Sequence, residues 1–106
     1  LTLFLMRYEY VNLYHTLSDW WNSFFALPEN KARSINVVFL DGHASGNLDP
    51  VWEQLFGNVT FVKRLPDDGS TCFEHAILVP PGYSSVLFPA STRWFNAKPC
   101  PVMTEA

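Results

Sequence analysis

The chain has 106 residues, which allows one domain at most, because a single hydrophobic core usually serves about 100 to 200 residues. Its 48% apolar content excludes intrinsic disorder, and its charged content of only 16% suggests that much of the surface is covered by the rest of a larger protein. The net charge of −3, without any Lys/Arg cluster, excludes nucleic acid as a partner.

The first half of the chain predicts a strand, a long helix and a second strand. Leu1 to Met6 is a short apolar run, typical of a buried strand. Apolar residues then recur at helical spacing from about Tyr10 to Leu27, and a polar loop follows from Pro28 to Ser34. The continuous apolar run Ile35 to Leu40 ends in Asp41-Gly42, which is typical of a central strand of a parallel sheet.

The second half predicts a short helix and two further strands. Asp49-Pro50 has the N-cap and first-turn residues of a helix that Gly57 ends. Val59 to Leu65 and Cys72 to Val79 are strand candidates, separated by a turn at Pro66 to Gly69. Strands that alternate with helices predict the α/β class, as a Rossmann-like layered domain with right-handed crossovers.

Several common sequence signals are missing. Neither GxGxxG nor GxxxxGK[ST] occurs, so the chain lacks a dinucleotide or P-loop fingerprint. No apolar run approaches the roughly 20 residues that cross a bilayer, and no signal-peptide pattern is present, so we expect any targeting segment to lie outside these residues. The start at Leu1 and the end after Lys98 to Pro101, without a closing element, predict a fragment.

The predicted first helix has a polar side of unusual composition. Plotted at 100° per residue, this side holds short hydrogen-bonding groups instead of the usual Lys and Arg, namely Glu9, Asn12, His15, Thr16, Asp19 and Asn22. The opposite side is aromatic and apolar, and we expect it to pack in the core. His15 and Asp19 are four residues apart, so the carboxylate can orient the imidazole as a general base; a solvated pair is the alternative.

Other polar residues carry weaker signals. Asp41 and His43 follow the carboxyl end of the predicted central strand, where open α/β sheets bind ligands, although a plain turn fits equally well. His75 lies inside an apolar strand pattern, which predicts a hydrogen-bonded structural histidine. Cys72 and Cys100 lack metal-ligand spacing, so no metal site is expected; they form a disulfide or are two unrelated buried thiols.

Asn58-Val59-Thr60 fits the sequon for N-glycosylation. Such a sequon is used only in the secretory pathway and also occurs by chance. Asn58 is therefore a candidate modification site.

The segment Arg7 to Trp20 resembles the E-x-x-N-x-x-H-x-x-x-D signature of glycosyltransferase family 61, with Glu9, Asn12, His15 and Asp19 at the signature positions. Val37 to His43 and Cys72 to Tyr83 resemble, in order and spacing, the plant core β1,2-xylosyltransferase branch of that family. The resemblance covers roughly residues 5 to 90, and the stretch after Phe88 resembles nothing known.

The resemblance implies an inverting enzyme of GT-B type that moves xylose from UDP-xylose to O2 of the core β-mannose of N-glycans, on the lumenal side of the Golgi membrane and without a cofactor. It implies His15 as the base supported by Asp19, with Asp19 itself as the alternative base. Glu9 and Asn12 then contact the acceptor or hold the helix in place, and Asp41 and His43 are candidate substrate-binding residues.

The resemblance also implies that residues 1–106 form part of an N-terminal, acceptor-side domain. The membrane anchor and the donor-binding half then lie elsewhere, and we expect the chain to be inactive alone. Two alternatives remain: another family 61 transferase, for N-acetylglucosamine, arabinose or xylose, or a non-catalytic fragment, including one that binds carbohydrate. Sugar-stacking candidates for the latter are Trp20, Trp21, Trp52 and Trp94.

Overall fold

The computed structural model describes residues 1–28 and 34–81. Outside the described residues lie Trp94, Cys100 and most of the loop predicted from Pro28 to Ser34. Within these ranges two α-helices alternate with the strands of a single sheet. The elements are β1 (Thr2–Leu5), α1 (Leu13–Ala26), β2 (Ile35–Phe39), α2 (Asp49–Leu55), β3 (Gly57–Phe61), a 3₁₀ turn (Val62–Arg64) and β4 (Ala76–Leu78). Neither helix is long and apolar enough to span a bilayer.

The four strands are parallel and lie in the order β3-β2-β1-β4. Leu3 pairs with Val37, which in turn pairs with Val59 of the edge strand. From β1 to β3, each new strand is added on the same side of the one before it. β4 is then added on the opposite side of β1. The predicted α/β fold with a parallel sheet is confirmed, and the reversal creates a topological switch point between β1 and β4, where such sheets bind ligands.

The core lies between the sheet and the two helices. Trp52 of α2 is fully buried, with its ring centroid 5.4 Å from that of Phe39 and 6.1 Å from that of Trp20. Because Trp20 belongs to α1, both helices cover the same face of the sheet. The buried apolar cluster comprises Leu3, Leu5, Ile35, Val37, Phe39, Trp52, Phe56, Phe61 and Val79.

Helix α1 begins at Leu13, three residues later than the predicted start at Tyr10. Asn12 is the N-cap: its backbone is extended, and its side chain accepts a hydrogen bond from the Tyr14 amide at 3.0 Å. The Asn12 amide donates to the Glu9 carbonyl at 2.9 Å, which closes a turn before the helix. Glu9 therefore precedes α1 and does not lie on its polar side as predicted.

The polar side of α1 faces inward, which contradicts the prediction that its apolar side packs in the core. Thr16, Asp19, Asn22 and Ser23 are buried. Ser23 donates to the Asp19 carbonyl at 2.7 Å, and Asn22 donates to the Pro80 carbonyl at 2.6 Å, so these side chains meet acceptors inside. Of the apolar residues of α1 and its C-cap, Trp20, Ala26 and Leu27 pack against the core. Exposed instead are Leu13, Tyr14, Leu17, Trp21, Phe24 and Phe25.

The last two strands are shorter than predicted. β3 ends at Phe61, because the chain turns into the 3₁₀ segment that was expected to continue the strand to Leu65. β4 covers only Ala76–Leu78 of the predicted stretch. Cys72 is exposed before it, so the hypothesis of a buried thiol is wrong at this position. His75 is also exposed, and only its backbone carbonyl is engaged, by the Thr2 amide at 2.9 Å.

Candidate active site

The carboxyl ends of β1 and β2 lie side by side, because the two strands are parallel and in register from Thr2 to Leu5. The Leu40 amide extends this pairing by donating to the Leu5 carbonyl at 2.8 Å. Two positions after the end of each strand the side chain is charged: Arg7 follows β1, and Asp41 follows β2. The predicted site residue Asp41 and the residue Arg7 therefore lie together at the carboxyl end of the two central strands.

Arg7 is buried at this end of the strands and forms two ion pairs. Its Nε and Nη2 donate to Asp41 Oδ2 and Oδ1 at 3.1 and 2.8 Å, and its Nη1 donates to Asp49 Oδ1 at 2.9 Å. The Arg7 amide also donates to Asp41 Oδ2 at 2.8 Å. The guanidinium carbon lies 4.0 Å from the centroid of Phe39, so the charge is stacked on a core aromatic ring. Arg7 therefore connects the carboxyl ends of β1 and β2 to the first residue of α2.

Both oxygens of Asp41 are engaged inside the protein. Oδ1 accepts from Arg7 and from the His43 amide at 3.1 Å, and Oδ2 accepts from the Arg7 side chain and amide. Burial by itself raises the pKa of Asp41, but the hydrogen bonds and charge of Arg7, with the His43 amide, outweigh burial and hold that pKa below its ordinary value of 3.8. Four acceptor contacts correspond to the capacity of a carboxylate.

His43 and Tyr10 form a stacked pair next to this cluster. Their ring centroids are 4.7 Å apart with an interplanar angle of 22°. The guanidinium carbon of Arg7 lies 5.0 Å from the Tyr10 centroid. Gly46 approaches the same tyrosine so closely that a Cβ there would lie 2.6 Å from its Cδ2. Tyr10 belongs to the loop after β1, and its ring is thus fixed against the loop after β2. His43, in that second loop, is half-buried against the ring.

Glu9, Asn12 and His15 meet around one carboxylate oxygen. Glu9 Oε2 accepts from Asn12 Nδ2 at 2.9 Å and lies 3.4 Å from His15 Nε2. The distance to His15 is longer than that of a tight hydrogen bond. The E-x-x-N-x-x-H spacing therefore corresponds to a contact cluster, built from the turn before α1 and from its first turn.

His15 is partly accessible within this cluster. One third of its side chain is exposed, and its ring centroid lies 5.1 Å from that of Tyr8 and 5.5 Å from that of Tyr14, both in edge-on geometry. The carboxylate beside its Nε2 is that of Glu9, whereas the sequence predicted Asp19 as the partner. Asp19 is buried one turn further along α1, with 5% of its surface exposed.

Sequence reasoning gave no role to Arg7 or Asp49. Arg7 appeared only as the first residue of the signature segment, and Asp49 only as a helix cap. A signal was present, because Arg7 directly follows an apolar strand, where an unpaired cation would be costly to bury. Its partners are 34 and 42 residues away, so only the sheet order identifies them.

Two other features lie apart from these clusters. A surface pocket of about 470 Å³ is lined by the segment after β3, including Lys63, Pro66 and Phe73, but by none of the predicted site residues. Asn58 is exposed on β3, and its Nδ2 donates to Asn36 Oδ1 at 3.3 Å. In residues 1–28 and 34–81, no three His, Cys, Asp or Glu side chains are grouped as metal ligands.

Comparison with known proteins gives two significant relatives of the chain. It is 42% identical over 102 residues to "Beta-1,2-xylosyltransferase RCN11" of Oryza sativa subsp. japonica, an alignment that covers 92% of the chain and 18% of the relative. It is 38% identical over 92 residues to "Beta-1,2-xylosyltransferase" of Arabidopsis thaliana, which covers 82% of the chain and 16% of that protein. The chain thus spans less than a fifth of either relative. No family model and no solved structure matches it.

Proposed function

We propose that the chain belongs to the β-1,2-xylosyltransferase family, as one segment of a longer enzyme that transfers xylose from UDP-xylose to O2 of the core β-mannose of N-glycans. The observation that carries the proposal is the 42% identity over 102 residues to a xylosyltransferase, in a segment that includes the Glu9-Asn12-His15 cluster. We further propose a GT-B architecture in the Golgi lumen, with the donor site and a membrane anchor supplied by other parts of the full-length enzyme.

His15 is the proposed general base. In this role the imidazole of His15 carries its proton on Nε2, directed at Glu9. The lone pair on Nδ1 then accepts the proton of the acceptor hydroxyl. The hydroxyl oxygen attacks the anomeric carbon of xylose, the bond to the donor phosphate breaks, and UDP leaves with that electron pair. One displacement inverts the configuration at the anomeric carbon, and the proton remains on His15 until solvent removes it.

Glu9 replaces Asp19 as the proposed partner that orients His15. Glu9 Oε2 lies beside the imidazole, and the Asn12 amide holds the same oxygen at 2.9 Å. Asp19 as the base is less favourable, because its side chain is buried and His15 is the more accessible group. His43 keeps its proposed role in binding the acceptor. The oxygens of Asp41 already accept hydrogen bonds from Arg7 and the His43 amide, so they are not free to bind substrate. Asp41 is therefore proposed to position His43.

The test is xylose transfer by the full-length enzyme to an N-glycan acceptor. His15→Ala should lower kcat/KM by about 100-fold to 10,000-fold, the usual contribution of a general base. Glu9→Gln should cause a smaller loss, and Asp19→Asn a loss only in proportion to any unfolding. His75→Ala is the matched control, because this exposed histidine lies before β4 and its side chain has no assigned role.

Each alternative has its own outcome. Transfer of N-acetylglucosamine or arabinose, but not xylose, by the wild type would identify another family 61 activity. Equal activity of wild type and His15→Ala would exclude His15 as the base. Glycan binding without transfer would favour a carbohydrate-binding fragment, for which Trp52 is unsuitable because only 1% of it is exposed.

A further inference from the structure

We propose that Arg7 is a positioning residue, which fixes the two loops that carry Glu9 and His43 relative to each other. The effect of Arg7 on activity rests on the proposed function, whereas its effect on loop structure can be measured independently. Arg7 itself does not contact the substrate in this proposal, because only 1% of its side chain is exposed.

Arginine suits this place because its planar group has five donors in a fixed fork. Three of its nitrogens are used: Nε and Nη2 for Asp41, and Nη1 for Asp49. These bonds join segments 34 and 42 residues apart in sequence. A lysine in the same place has one ammonium group and cannot hold both carboxylates in this geometry.

The contacts of Asp41 and Asp49 extend to the loop after β2. Asp41 Oδ1 accepts from the His43 amide at 3.1 Å, and Asp49 Oδ2 accepts from the Gly46 amide at 2.9 Å. Arg7 Nη2 also approaches the Ala44 carbonyl at 3.5 Å. The backbone from His43 to Gly46 is therefore tied to Arg7 through its two carboxylate partners, and this backbone determines where the His43 ring lies.

The same residue also supports the loop that leaves β1. Arg7 lies two residues before Glu9, and its guanidinium stacks with the Tyr10 ring, which in turn stacks on His43. Displacement of this stack would shift Glu9 and His43 relative to each other. A shift of about 1 Å in a site can lower activity about 100-fold.

Stability is a weak explanation for this cluster. One guanidinium faces two carboxylates, so the cluster carries one uncompensated negative charge, and two of its three side chains are almost fully buried. Buried ion pairs often contribute less to stability than apolar residues of the same volume, because both charges lose water. The geometry of the contacts, rather than their energy, is what an apolar core could not reproduce.

The experiment compares Arg7→Lys and Asp49→Asn with wild type in the full-length enzyme. Asp49→Asn is the milder variant, because 14% of the Asp49 side chain is exposed and only the second ion pair is lost. Arg64→Lys is the matched control: its guanidinium carbon lies 4.6 Å from the Phe61 ring, but Arg64 is exposed on the 3₁₀ turn. Amide hydrogen exchange at His43 and Gly46 is measured together with kcat/KM per folded molecule, well below the unfolding temperature.

We expect Arg7→Lys to accelerate exchange at both amides by tenfold or more and to lower kcat/KM by at least tenfold, without a matching loss of folded enzyme. Asp49→Asn should accelerate exchange mainly at Gly46. Unchanged exchange at both amides in both variants would overturn the proposal, as would a loss of activity that only follows the unfolded fraction. If the wild type fails to transfer xylose, the proposed function fails, and the exchange data still decide whether Arg7 holds the loops.

Discussion

Asn12 donates through Nδ2 to Glu9 Oε2 at 2.9 Å, and Oδ1 of the same side chain accepts from the Tyr14 amide at 3.0 Å. One side chain thus caps α1 and holds the carboxylate that lies beside His15. The start of the helix and the geometry of the candidate base are therefore coupled through Asn12.

Substitutions at Asn12 should separate its two contacts. Asn12→Asp retains the cap acceptor but opposes a second carboxylate to Glu9, so we expect little change in stability and roughly a tenfold or larger loss of kcat/KM. Asn12→Ala removes both contacts and should also lower the free energy of unfolding by about 1 kcal/mol. Thermal denaturation and the transfer assay on the full-length enzyme measure the two effects. Full activity of Asn12→Asp would show that the bond to Glu9 is dispensable.

The strand β2 and the helix α2 were predictable because local signals define them. The apolar run from Ile35 ends at a turn, and Asp49-Pro50 is a favourable helix start. The start of α1 was missed, although Asn12 is a favourable N-cap residue, because the apolar periodicity continues through Tyr10. Periodicity identifies the two sides of a helix but not which one turns inward, and that depends on acceptors such as the Pro80 carbonyl.

The signature residues were found from sequence, but their contacts were not. Helical spacing favoured Asp19 as the partner of His15, whereas the turn before α1 brings Glu9 to it instead. The cluster of Arg7, Asp41 and Asp49 depends on the order and register of the strands, which no local pattern contains.

The outward apolar side of α1 leads to a prediction for the 106-residue chain. Leu17 is half-exposed, so Leu17→Glu should change the free energy of unfolding by less than about 0.5 kcal/mol and should reduce binding of a hydrophobic dye. Ser23 is fully buried, so Ser23→Leu should cost about 1 to 3 kcal/mol by overpacking. Urea denaturation of both variants is the measurement. The opposite order of the two costs would mean that the apolar side packs inward.

Asp41 should make stability depend on pH in the acid range. Its pKa is lower in the folded protein than the ordinary 3.8, so the unfolded chain binds more protons near that pH. The contribution of Asp41 is therefore complete above about pH 4 and is lost as the pH falls through its lowered folded pKa. We expect Asp41→Asn to reduce the stability of the full-length enzyme at neutral pH and to flatten its decline below about pH 4. Parallel acid curves for wild type and variant would contradict this assignment.

Gly57 should be intolerant of any side chain. It has a φ of +128°, and a Cβ there would lie 2.6 Å from the Ile35 carbonyl oxygen, a backbone atom of the neighbouring strand. Gly57→Ala should therefore destabilise the full-length enzyme by more than about 1 kcal/mol. Gly42→Ala is the control, because a Cβ at that position meets nothing within 4 Å. Equal unfolding temperatures for the two variants would show that β3 tolerates a different backbone path at its start.

Asn58 should carry an N-glycan when the full-length enzyme is made in the secretory pathway. Its side chain is exposed on β3, an edge strand of the described sheet, and its hydrogen bond to Asn36 uses only one of its two amide protons, so a glycan can replace the other. Asn58→Gln and Thr60→Ala should each remove one glycosidase-sensitive mobility shift, whereas Asn36→Gln, outside any sequon, should not. Because a glycan needs solvent around it, occupancy would also mean that this part of the sheet remains uncovered in the full-length enzyme. Wild-type mobility in both sequon variants would mean that this sequon is unused.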